Sequence, residues 1–152
     1  MDPLFIATPS ESAVYEALSL WPCFSGRRIR PLLVTAFGDI YVETQEGEVW
    51  AVKPIELQCV RVSKSIKDWE RLFSDTEWAE VNLLTDLALL ANERGIKREP
   101  HQVFAFAPHP CITGKLEIEH LMPMEINIWH HISLQLSNAQ QGAPADAEKR
   151  RG

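Results

Sequence analysis

All five histidines of the chain fall between His101 and His131, and Cys111 lies among them. His109, Cys111 and His120 are the residue types that a zinc site or a Cys/His nucleophile pair would use. Their spacing works against both. The HxC arrangement matches neither paired CxxC ligands nor the HExxH helix, and no histidine stands four residues from another. His109 and Cys111 share one loop, where such close neighbours rarely reach the geometry that nucleophile and base require. His109, flanked by prolines, is expected to be exposed, and His130 and His131 to sit on a helix, one packed and one solvated. Cys59 has apolar strand neighbours and reads as a small core residue. GxSxG, P-loop and dinucleotide fingerprints are absent. The residues point to a protein that is not an enzyme and uses no metal or cofactor. The alternatives are a small enzyme or metal-binding protein built on His109, Cys111 and His120, or an adaptor that binds another protein.

The acidic residues offer a different chemistry. Asp39, Glu43, Glu46, Glu48 and Glu56 crowd one stretch with only Lys53 to oppose them, and Asp75, Glu77 and Glu80 form a second cluster. Charged residues cover most soluble surfaces, so one reading is ordinary solvated faces. The other is a surface that docks against a basic cleft, steering association while a few aromatic anchors supply affinity. Trp21, Trp69, Trp78 and Trp129 fall on apolar stripes and belong to the core, whereas Trp50 could face outward. The candidate partner-binding residues are therefore Asp39, Glu43, Glu46, Glu48, Trp50, Asp75, Glu77 and Glu80. A net charge of −6 argues against a nucleic-acid binder and for a basic protein partner.

Four short strands must position the first cluster. From Leu33 to Ser63, apolar runs rich in Val, Ile, Tyr and Trp alternate with turns at Phe37-Gly38-Asp39 and Gln45-Glu46-Gly47-Glu48. The result is a β-meander, with Pro31 tolerable on a sheet edge, Pro54 ending the second arm and a third arm from Glu56 to Val62. Before it, Thr8-Pro9-Ser10-Glu11 predicts a helix capped by Thr8 and running to Leu20. After it come a helix over Ser65 to Phe73, with Ser65 and Asp68 placed to cap its beginning, and a longer one from Thr76 to Gly95, which Asp75 or Thr76 can cap. The longer helix is expected to bury Trp78, Val81, Leu84, Leu87 and Leu90. His101 to Ala107 returns to strand periodicity, Pro108 to Gly114 is a loop, and Leu116 to Leu121 is a short strand or irregular crossing. Met124 to Leu136 is expected to turn from strand to helix near Trp129. Ser137 to Gly152, with almost no bulky apolar residue, is expected to be a disordered tail.

A chain of 152 residues with 45% hydrophobic residues makes one α+β domain, its antiparallel sheet covered mainly on one face by the two central helices. Residues 1–30 form an N-terminal helix and connector, 31–136 the main domain and 137–152 the tail. Three widely spaced cysteines argue against disulfides and for a reducing compartment. No secretory signal and no membrane-spanning run is evident, so a cytoplasmic location is expected.

Two segments then carry a likeness. AFGDIYVETQEGEVWAV, with the later ERLFSDTEWAEVNLLTDLALL, resembles the C-terminal domain of type VI secretion immunity proteins of the Tdi type. HQVFAFAPHPCITGKLEIEHLMPMEINIWHHISLQL is similar to that family's ending. The likeness spans Leu33 to Leu136. It implies a non-enzymatic cytoplasmic protein that binds a cognate antibacterial toxin, often a nuclease. Longer members of that family have a further N-terminal domain where this sequence has only the Thr8 to Leu20 helix. The resemblance assigns no binding residues, so the acidic set rests on the charge argument alone.

Overall fold

A computed structural model describes residues 2–151, with side chains through residue 140. The meander consists of β2 (Ile29–Thr35), β3 (Ile40–Thr44), β4 (Val49–Lys53) and β5 (Gln58–Ser63), all antiparallel. A short strand not foreseen from the sequence, β1 (Ile6–Ala7), pairs with Val34 and Thr35 and completes a five-stranded sheet in the order β1 to β5. Because β1 reaches only that far, Pro31 lies on an open edge of β2, where its missing N–H costs no ladder bond. The fold is thus α+β, as the pattern of elements predicts.

Period-two alternation splits the sheet between two cores. Ile40, Val42 and Val52 enter the larger one, while Tyr41, Val49 and Ala51 enter the smaller. Both faces are covered, where the sequence led us to expect one face mainly. The smaller core lies under α2 (Ile66–Ser74) and α3 (Thr76–Leu83), where Tyr41 meets Trp69, Phe73 and Trp78 at ring separations of 5.5–6.4 Å. The larger is closed by α1 (Glu11–Ser19), α4 (Thr85–Glu93), α6 (Ile126–Arg151) and a two-stranded ribbon of β6 (Val103–Phe106) with β7 (Leu121–Met124).

The single long helix expected from Thr76 is two helices. Leu84 sits in the left-handed region, φ 53° and ψ 48°, and separates α3 from α4. The Asn82 side chain donates to the Trp78 carbonyl at 2.9 Å, so it competes with the backbone for an acceptor of the last turn. The break has a packing purpose: Trp78 belongs to the smaller core and Ala88 and Ala91 to the larger, and one straight helix could not serve both. It also leaves Val81 70% exposed, against the expectation that it is buried.

Other elements differ in detail. Ser10, not Thr8, caps α1 by accepting the Ala13 N–H at 3.2 Å, and Thr8 instead bonds the Pro100 carbonyl. Ser65 and Asp75 cap α2 and α3 as foreseen. Gly95, in the left-handed region, follows α4. The loop after β6 contains one turn of helix, α5 (Pro110–Thr113), and a 3₁₀ turn spans Ile118–His120. α6 begins at Ile126, three residues earlier than Trp129. Its backbone continues through 137–151, where a tail was expected. Cys23 and Cys59, both expected to be free thiols, form a disulfide, with Cα atoms 6.8 Å apart. The 36-residue separation hides a contact that the fold creates by laying the turn after α1 against β5. Cys111 is a free thiol.

Candidate protein-binding surface

The acidic residues of the meander do not leave an open negative face. Asp39 is only 5% exposed, with Lys53 Nζ 3.6 Å from its carboxylate. Burial raises its pKa from 3.8 to about 7, against the opposing pull of Lys53. It is thus an interior group that a docking protein does not reach. Glu43 accepts from Arg30 at 2.8 Å, Glu46 faces Arg27 at 3.5 Å, and Glu48 faces Arg61 at 3.0 Å. Sequence reading credited these carboxylates with no cation except Lys53. The arginines come from β2, β5 and the turn before β2, so only strand register brings them alongside. Trp50 is half-buried, its indole N–H on Glu48 and its ring under Arg27 at 5.3 Å. It is part of this neutralised patch and not a bare anchor.

The second acidic cluster has no ion-pair partner among the described residues. Asp75 caps α3, while Glu77 and Glu80 are exposed and, with Asp86 in the first turn of α4, form no ion pair among the described residues. Two of these carboxylates, Glu80 and Asp86, stand beside an apolar groove of about 540 Å³ at the break at Leu84. Leu84, Leu87 and Leu90 form its floor, and Val81 and Leu116, 70% and 41% exposed, its walls. Glu80 and Asp86 rim it. An apolar cleft with a charged rim is how protein interfaces are commonly built. The signal available in the sequence was Val81, the one β-branched residue on the apolar stripe that the break turns outward.

The histidines serve the interior. His109 is 3% exposed, not solvated: its Nε2 lies 2.9 Å from the Pro54 carbonyl, its Nδ1 accepts the Cys111 backbone N–H at 3.0 Å, and its ring stacks on Trp129 at 4.9 Å. Ser133 Oγ is 3.3 Å from the same Nε2. These partners assign the neutral Nε2–H tautomer, and burial lowers the pKa. Neither nitrogen is left to activate Cys111, whose thiol pKa burial raises. His120 stands beside Glu117, 3.4 Å away. Among the described residues, no group of three or more His, Cys, Asp or Glu is arranged to hold a metal ion. His130 is buried and His131 exposed, the packed and solvated pair that the sequence suggests. No helix among the described residues is long and apolar enough to cross a membrane.

No protein-family model matches the chain, and no curated protein matches it in sequence.

Proposed function

We propose that this chain is an immunity protein: a stoichiometric inhibitor that binds a cognate secreted toxin, a nuclease with a basic cleft, through the α3–α4 groove. The observation that carries the reading is the juxtaposition of exposed Val81 and Leu116, a leucine floor, and the unpaired carboxylates of Glu80 and Asp86. Apolar anchors in such a groove supply affinity, and uncompensated negative charge around it steers a basic partner and suppresses others. Protection against a toxin that acts in few copies requires a dissociation constant near 1 nM, roughly −12 kcal/mol. An interface of about 1,600 Å² with a few packed anchors reaches that. The likeness of the FGD turn and the Phe-x-Phe-x-x-x-Pro loop to immunity proteins supports the same reading. Inhibition then follows from covering the toxin's cleft or holding it in an inactive arrangement.

Co-expression with the product of the neighbouring open reading frame tests this directly. Survival of the host and co-purification of a one-to-one complex are expected; a harmless neighbour that does not bind overturns the toxin assignment. Within a complex, Val81→Asp is expected to weaken binding about tenfold or more, since it places a charge in the apolar contact. Glu80→Lys with Asp86→Lys is expected to slow association about tenfold at low salt and to flatten its salt dependence. All three residues are on the surface, so thermal stability should change little. Unchanged kinetics in both variants would remove the groove from the interface.

A further inference from the structure

A second cavity, of about 600 Å³, shares no residue with the α3–α4 groove. It lies between the N-terminal segment, the end of α4 and the chain from Ile96 to Pro100, and its size suits a small molecule. Leu4, Ile6, Ala88, Ile96 and Phe104 make its walls apolar, and Arg98 is the half-buried cation among them. The guanidinium stands over Phe104 at 5.6 Å. Its Nη1 donates to the carbonyls of Gln102 at 3.1 Å and Glu99 at 3.5 Å, and its Nη2 to those of Pro3 at 2.9 Å and Ile6.

Those four bonds latch the N-terminal segment down, but carbonyls carry no net charge. Among the described residues no carboxylate forms an ion pair with Arg98, and no acceptor is found for its Nε–H. A partly desolvated cation without a counter-charge is costly, and an anion beside it would recover that cost. Lys97, also on the cavity, adds a second positive charge. Asp2 on the rim accepts the Leu4 N–H at 2.8 Å and offsets one of these two positive charges, so the cavity lining keeps an excess of one cation over carboxylates. One free guanidinium donor and one ammonium suit a carboxylate better than a phosphate, which calls for more donors.

We propose that this cavity binds a small carboxylate with an apolar body, a medium-chain or aromatic acid. Its charge meets Arg98 and Lys97, and its body lies against Leu4, Ile6 and Phe104.

Isothermal titration calorimetry of the full chain with sodium octanoate, 1-octanol and octylamine tests the charge and the apolar requirement separately. Octanoate is expected to bind one per chain, about tenfold or more tighter than 1-octanol, with octylamine weaker still. Asn92 is exposed on α4 and lines the cavity, so Asn92→Trp is expected to block it and weaken octanoate binding by about tenfold while leaving the fold intact. Arg98→Gln is expected to abolish the preference for octanoate over octanol. Should that variant loosen the N-terminal segment, Asn92→Trp and the three-ligand comparison still decide. Absence of octanoate binding, equal binding of octanoate and octanol, or binding indifferent to Asn92→Trp each overturns the proposal.

Discussion

Replacing Gly38 by alanine is expected to destabilise the protein by roughly 4 kcal/mol, the sum of a backbone and a packing penalty. Gly38 has φ +90°, a conformation that L side chains rarely adopt. A Cβ there would lie 2.8 Å from Trp129 Cδ1 and 3.2 Å from its Nε1. Trp129 has little freedom to yield. Its indole N–H donates to the Phe37 carbonyl at 3.2 Å, and the His109 ring, itself bonded to the Pro54 carbonyl, stacks on it. Phe37 in turn packs on Phe104 and Phe106 of the ribbon. The turn between β2 and β3 is therefore where the meander, the ribbon and α6 are tied together. Urea unfolding at neutral pH would show a midpoint lower by roughly 2 M, or no folded baseline at all. Gly47→Ala is the control: φ is +84° but nothing lies within 4 Å of its Cβ, so only the backbone penalty of about 1 kcal/mol applies. Equal losses at the two glycines would mean that the Trp129 contact contributes nothing.

How far the sequence discloses this arrangement depends on whether a signal is local. The meander, its turns and the caps at Ser65 and Asp75 were legible because alternation, Gly and capping residues act within a few positions. The FGD turn stood out as a motif, but its task of receiving Trp129 and His130 from α6 joins positions 92 apart. The same holds for Arg27, Arg30 and Arg61, which neutralise the meander's glutamates only once strands pair. Counting charges along the chain placed a docking face where the fold has ion pairs. The second cluster differs in that Glu77 and Glu80 form no ion pair among the described residues: Lys53, the cation that reaches α3, is held by Asp39 and Asn82. The groove beside them was hidden for another reason: the apolar stripe from Trp78 to Leu90 has unbroken helical spacing, and only the need to reach two cores divides it at Leu84. Likewise, no local pattern distinguishes Cys23 and Cys59 from core cysteines.

His130 is expected to make folding stability rise with pH between about 4 and 6.5. Its ring is fully buried, Nδ1 accepting the Trp21 indole N–H at 2.9 Å and Nε2–H donating to the Gly38 carbonyl at 2.6 Å. Protonation would set a second hydrogen against the Trp21 donor and place a charge where no carboxylate answers it. Desolvation accordingly lowers its pKa from 6.5 to about 4, only partly opposed by the Gly38 bond. The unfolded chain takes up a proton below 6.5 and the folded one not until about 4. The stabilisation is thus complete above 6.5 and lost as pH falls through that interval, roughly 3 kcal/mol in all. His109, whose pKa burial also lowers, adds to the same sign. Asp39 acts oppositely: with its pKa raised from 3.8 to about 7, its contribution is complete below 3.8 and lost as pH rises through 7. The two windows overlap, so the wild-type profile should be flatter than either group alone would make it. Asp39→Asn removes the opposing slope, and unfolding free energies of that variant are expected to drop steeply from pH 7 to 4. The difference between Asp39→Asn and Asp39→Asn with His130→Gln, taken across that interval, isolates the His130 share. Ring-carbon resonances of His130 moving with a midpoint near 6.5 would refute the assignment, because a ring held neutral by Trp21 and Gly38 cannot titrate there without opening the junction that both residues close.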